Sequence, residues 1–169
     1  VQGKRIFLLG DRLMRLGTDG TTDGLNLTGP EIGYPVQRPD QGSGTCGPTA
    51  AALSPDGKAL YMAGHVYTWS KDGHAHVSWF HGVKKMDPAD DAAAAPFAGE
   101  MKRDKEGAGK DDSHFDMPAD VACDARGRVY VADYHNDRVQ VFTPDGKLVQ
   151  TVPTFRPAMV RVDPAKGDL

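Results

Sequence analysis

One phrase recurs in this chain at fixed internal spacing, and it limits the fold more than any other feature. Pro118-Ala-Asp-Val-Ala-Cys-Asp124 leads through Gly127 and Arg128 into Val129-Tyr-Val-Ala-Asp133. The same order runs from Pro48 through Ser54, Gly57 and Lys58 to Tyr61-Met-Ala-Gly64. Six residues separate each proline from Ser54 or Asp124, and three more reach the glycine. The phrase opens a third time at Pro157, again with six residues to Asp163, followed by Gly167. Its second half stands near the start, from Gly3 and Lys4 through Ile6 and Phe7 to Asp11. Self-similarity at such a period is the mark of a repeat architecture, in which each unit buries its apolar faces only against its neighbours.

Each unit reads as short antiparallel strands. Ala119, Val121 and Cys123 alternate, which predicts a strand with one buried face. Asp56-Gly57 and Arg126-Gly127 are turn pairs, since glycine accepts the positive φ of a tight hairpin. Residues 129–131 are β-branched and aromatic, as in a buried central strand. Val139, Val141 and Phe142 form the next strand, Pro144-Asp145-Gly146 turns the chain, and 148–152 supply the last. Four short strands every 40 residues or so predict an all-β fold, a β-propeller of four-stranded antiparallel blades.

The period from Pro118 to Pro157 is 39 residues, but Pro48 to Pro118 is 70, so the earlier unit carries an insertion. The 169 residues then divide as a single, partial propeller: a blade remnant over 1–47, a blade over 48–83, an insertion loop over 84–115, a blade over 116–156, and the start of another over 157–169. Composition agrees with a turn-rich β protein, with 20 Gly and 12 Pro in 169 residues. A net charge of −3 and 25% charged residues exclude a coiled coil and a highly charged disordered tail. No apolar run approaches the roughly 18 residues of a membrane span.

Residues 115–146, with Phe115, Pro118, Asp124, Gly127, Ala132-Asp133, Asn136, Arg138, Val141 and Phe142 in order, closely resemble an NHL repeat. The run from Pro96-Phe97-Ala98-Gly99 to Phe115 is similar to the glycine-rich stretch that often precedes such a blade. The resemblance implies a propeller related to the peptidyl-hydroxyglycine lyases and gluconolactonase-type enzymes. In the lyases, zinc-binding histidines lie near the blade openings that follow the proline. The matching positions here are Thr49, Ala119 and Ala158, none a zinc ligand, so the chain departs from that pattern. About three blade-equivalents are present, whereas propellers close at four to eight. The chain is therefore expected to be an arc of a larger propeller, or a half-ring completed by a second chain. It opens on Val1 with no basic leader, so any targeting segment is expected to be absent or removed.

Several polar groups are candidates for function. Asp133, Asn136 and Arg138 form a strand–turn–strand constellation that suits an anion or sugar. The competing reading, which the NHL resemblance supports, is structural: Asp133 and Arg138 tie neighbouring strands as a carboxylate–guanidinium pair. Tyr134, His135 and Asn136 are then the candidate ligand contacts of that hairpin. His74 and His76 face the same way on a strand, as two metal ligands would, but His81 is out of phase and no third ligand is evident. Tyr67, Trp69, Trp79 and Phe80 flank the Asp72-Gly73 turn, where they suit stacking on a carbohydrate or base, or cross-strand pairing within one hairpin. Trp69, His74 and Trp79 are the second set of candidate ligand contacts. The segment around Lys102, Arg103, Lys105 and Lys110 alternates with acids, which argues against nucleic-acid binding. Cys46 and Cys123 read as two buried thiols rather than a disulfide framework.

Two functions remain open. One is a non-enzymatic scaffold that binds a protein, peptide or glycan, with no cofactor required and no assigned catalytic residue. The other is a propeller enzyme, a metal-dependent lyase or lactone hydrolase, whose axial site takes Zn²⁺ or Ca²⁺ and is completed by blades outside this chain. The compartment is left open, an extracytoplasmic or secreted setting being preferred.

Overall fold

The computed structural model describes residues 5–10, 12–18, 30–38, 42–71 and 73–163. Gly3, Lys4, Asp11, Asp72 and Gly167, which the repeat and turn readings use, lie outside them. Strands β1 (Arg5–Leu9) and β2 (Leu13–Gly17) pair as one antiparallel hairpin, and β3 (Tyr34–Arg38) and β4 (Gly42–Cys46) as another. Five strands follow: β5 (Ala50–Leu53), β6 (Leu60–Ala63), β7 (Val66–Lys71), β8 (His74–Met86) and β9 (Ala95–Arg103). The chain continues through β10 (Pro118–Cys123), β11 (Val129–Asp133), β12 (Arg138–Phe142) and β13 (Leu148–Pro153), an antiparallel meander in chain order. Two short 3-10 turns, Asp104–Glu106 and Tyr134–Asn136, complete the described residues. The fold is all-β, with four-stranded antiparallel blades.

The near-continuous apolar run of β11 follows from burial on both faces. Val129 and Val131 join Val121 and Phe142 on one side, packing against Tyr61, Ala63 and Val83 of the preceding blade. Tyr130 and Ala132, with Val139 and Val141, face the other way and are covered by Val160. The preceding blade is sandwiched likewise, because Leu13 and Ile32 cap Leu60, Met62 and Met86. At the seam between the blades the Gly64 amide donates to the Pro118 carbonyl at 2.9 Å. Gly64 sits at φ +70°, and a Cβ there would lie 2.1 Å from Thr49 Oγ1, so only glycine lets the two inner strands meet.

The extra length between Pro48 and Pro118 is distributed differently from the expected loop over 84–115. That stretch holds the end of β8 and all of β9, the outer strand of the β5–β6–β8–β9 blade. The surplus residues instead enter as a hairpin of β7 and the first half of β8, between the second and third blade strands, and as the segment after β9. Edge strands tolerate charge on a solvated face, so Glu100, Lys102 and Arg103 disguised β9 as loop. Gly99 at φ +77° completed the disguise; it lets β9 pass beneath Phe115, whose ring would collide with a Cβ at 2.4 Å.

Candidate functional site

The site is built where β11 passes into β12, at the end of the blade that also carries the approach to β10. Asp133 and Arg138 are register partners, and Arg138 Nε donates to Asp133 Oδ2 at 2.8 Å. The remaining guanidinium donors reach the carbonyls of Lys110 (3.0 Å), Asp111 (2.8 Å) and His114 (2.8 Å). Asn136 Nδ2 donates to Gly109 O at 2.8 Å and Asp133 Oδ2 at 2.9 Å, while Asp133 Oδ1 accepts the Asp116 amide at 2.8 Å. Burial pushes the Asp133 carboxyl up, and the bonds from Asn136, Arg138 and the Asp116 amide offset only part of that. These polar groups knit the segment 109–116 onto the hairpin.

Tyr134 and His135 present a different surface. Their amides donate to Met117 O and Asp116 O, both at 3.1 Å, which fastens the Tyr134–Asn136 turn to the loop before β10. His135 Nδ1 lies 3.2 Å from Asp116 Oδ1, with the imidazole nearly half exposed. His81 Nδ1 lies 3.7 Å from the same oxygen and accepts the Met117 amide at 3.1 Å. Its neutral form therefore carries the proton on Nε2, a buried atom with no hydrogen-bond partner. Burial pulls His81 below its ordinary value, against the opposing pull of Asp116 and Asp104. Asp116 is thus a shared anchor between a buried and an exposed histidine. Met117, at φ +66°, follows it in a conformation uncommon outside glycine. In the sequence a lone aspartate before a proline phrase is ordinary turn chemistry, and the 35 residues from His81 to Asp116 carry no pattern.

The second predicted set divides. In the β7–β8 ribbon Trp69 pairs with His76 and stacks on it, with ring centroids 4.3 Å apart. His74 shares that face, but Trp79, paired with Val66, points to the other. Trp69, His74 and Trp79 therefore do not form one surface, because the odd spacing from Val66 to Trp69 crosses the pleat. The Trp79 amide donates to Asp104 Oδ1 at 3.2 Å, so this ribbon is anchored at the Asp104–Glu106 turn, whereas Tyr134 and His135 are anchored at Met117 and Asp116. His74 and His76 are exposed and His81 is buried on the blade half of β8.

Among the described residues no group of three or more His, Cys, Asp or Glu is placed to hold a metal ion. Thr49 Oγ1 donates to Gly64 O at 2.9 Å. Cys46 and Cys123 are free thiols in separate clusters, beside Tyr34 and beside Tyr61 respectively; only Cys46 is buried as expected, Cys123 being half-buried at the end of β10. Burial pushes the Cys123 thiol up to about 12. No helix among the described residues is long and apolar enough to cross a membrane.

Residues 115–142 match the family model of the NHL repeat. Over 104 residues, 59% of the chain, the sequence is 34% identical to peptidylglycine alpha-amidating monooxygenase of Rattus norvegicus, of which the chain spans 10%. The structure superimposes on a gluconolactonase of Xanthomonas campestris with a TM-score of 0.51 and 17% identity, covering 92% of this chain and 39% of that one. The likeness to the solved structure is one of fold. The chain thus carries an NHL repeat, set within a β-propeller-type fold of antiparallel blades.

Proposed function

We propose that this chain is a rigid propeller scaffold that displays loops and a projecting ribbon to a protein, peptide or glycan partner. One observation carries the reading: the polar constellation of the repeat is consumed internally, while the β7–β8 ribbon stands out of the blade with exposed residues on both faces. Arg138 and Asn136 direct their donors to carbonyls and to Asp133, which leaves few for a ligand. On the ribbon, Thr68, Ser70, His74, His76 and Val77 are exposed, and the Trp69–His76 stack offers a flat aromatic platform. At the turn, Tyr134 and His135 supply a second contact patch. A surface already held in its bound shape binds without a large ordering cost.

A second reading, a propeller enzyme with an axial metal, is favoured by the amidating monooxygenase relative. Its metal would need ligands other than Thr49, Ala119 and Ala158.

Binding of the purified chain to glycan and peptide arrays tests the scaffold. Specific binding that Trp69→Ala abolishes, with the melting temperature unchanged, is the expected result. Stoichiometric Zn²⁺ or Ca²⁺ together with lactone or hydroxyglycine turnover, and no array binding, overturns it in favour of the enzyme.

A further inference from the structure

The far end of the same two blades, where β5 turns into β6 and β10 into β11, holds a groove of about 460 Å³. Its walls are the two repeat turns themselves: Pro55, Asp56 and Lys58 on one side, Ala125, Arg126 and Gly127 on the other, with Pro144 at one end. Tyr61 and Lys85 line its depth. The volume lies in the range of small-molecule sites, roughly 300–1,000 Å³.

Both walls are fixed before any ligand arrives. Ser54 Oγ donates to Asp56 Oδ1 at 2.7 Å, and that carboxylate also accepts the Lys58 amide at 3.1 Å. Across the groove, buried Asp124 accepts the amides of Arg126 (2.9 Å) and Arg128 (2.8 Å), the Arg128 guanidinium (2.5 Å) and the Tyr130 hydroxyl (3.1 Å). The negative charge of Asp124 is thereby answered by Arg128, not by Arg126. Lys85 Nζ is held by the Pro144 carbonyl at 2.8 Å and lies 5.5 Å from the Tyr61 ring centre. The Tyr61 hydroxyl donates to Pro144 O at 3.5 Å, and burial pushes that phenol up to about 12. Three cations, Lys58, Lys85 and Arg126, thus line the groove with one carboxylate, Asp56, and Asp145 beside Pro144 lies close enough to feel the Lys85 charge, on a chain whose net charge is −3. The excess of one cation is local; the turn backbones and Lys85 are held in place, while the Lys58 and Arg126 side chains are exposed.

We propose that this inter-blade groove is a binding site for a small organic anion, a polycarboxylate whose oxygens meet Lys85, Lys58 and Arg126 while its carbon body rests on Pro55 and Pro144. The reading is independent of the scaffold function, which concerns the opposite end of the blades. Charge-assisted bonds from converging cations are what such a ligand requires.

Calorimetric titration of the full chain with citrate at low ionic strength tests it. Saturable one-to-one binding is expected, weakened about tenfold by Arg126→Gln and further by the double variant Lys58→Gln/Arg126→Gln, and reduced by added salt. Lys85→Met is expected to do the same if it folds; the exposed pair keeps the test valid if it does not. Lys102→Gln removes one distant cation and is expected to leave affinity unchanged. Inorganic phosphate, lacking a carbon body, is expected to bind more weakly than citrate. No saturable citrate binding, binding that survives the double variant, or an equal loss in Lys102→Gln overturns the proposal.

Discussion

His65 Nε2 lies 3.2 Å from the carbonyl oxygen of Ile32, and neither residue has any exposed surface. The bond places the proton on Nε2 and leaves Nδ1 buried without a partner. Burial lowers the His65 pKa to about 4, with nearby Lys84 adding to the shift and the Ile32 bond opposing it. An unfolded histidine titrates near ~6.5. Between those values the unfolded chain binds more protons, so stability is full above about pH 6.5 and falls as pH drops towards 4. The loss amounts to about 3 kcal/mol. Denaturant midpoints measured across this window are expected to fall with acid, and His65→Phe is expected to flatten the slope. Buried Asp133 has the opposite sign: its raised pKa makes protonation easier in the folded state, so its contribution to stability rises as pH falls.

Removing the Arg138 side chain leaves Asp133 as an uncompensated buried carboxylate and strips three carbonyls of their donor. Arg138→Ala is expected to cost about 3–5 kcal/mol in urea unfolding. Arg138→Lys restores the charge but not the fork, so it is expected to recover only a fraction of the loss.

Val131 has no exposed surface and packs between Val121, Phe142 and the neighbouring blade. Val131→Asp buries a charge without a partner, and a cooperative thermal transition by circular dichroism is expected to disappear. A melt like that of the parent would place this side chain elsewhere.

The blade seam can be probed at Gly64. Gly64→Ala forces an L side chain into positive φ and drives its Cβ against Thr49 Oγ1 and the Ala119 carbonyl. A destabilisation of about 1–3 kcal/mol is expected from the backbone conformation alone. In hydrogen exchange, the Gly64 amide that bonds Pro118 O is expected to lose protection first.

The strands of the β10–β13 blade were legible because the turn at Arg126-Gly127 and the doubly buried run through Val131 agreed, but the single buried face expected from Ala119, Val121 and Cys123 is not found: Asp120 and Ala122 are buried too, since β10 is packed on both sides. The Asp133–Arg138 tie was legible as well, since both residues lie inside the repeated phrase. The preceding blade was harder. Its third strand begins inside a longer one, β8, so His74 to Met86 reads as one run although its two halves have different partners. Trp69 and Trp79 looked like neighbours around a turn; pairing register, which depends on where the turn falls, put them on opposite faces. Asp116 acquires its role only when His81 and His135 arrive from two blades. The anion groove likewise exists only between turns 70 residues apart in the chain.

The unbroken run of β8 has a mechanical consequence. Its first half belongs to the ribbon and its second half to the blade, with no loop between them. A load applied near His74 is therefore conducted along one strand, through the register shifts at Phe80–Gly82 and Val83–Lys84, to Val83 and Met86 in the two apolar clusters. The ribbon behaves as a lever rooted in the hydrophobic interior rather than as a tethered flap, and whatever grips its tip pulls on the blade itself.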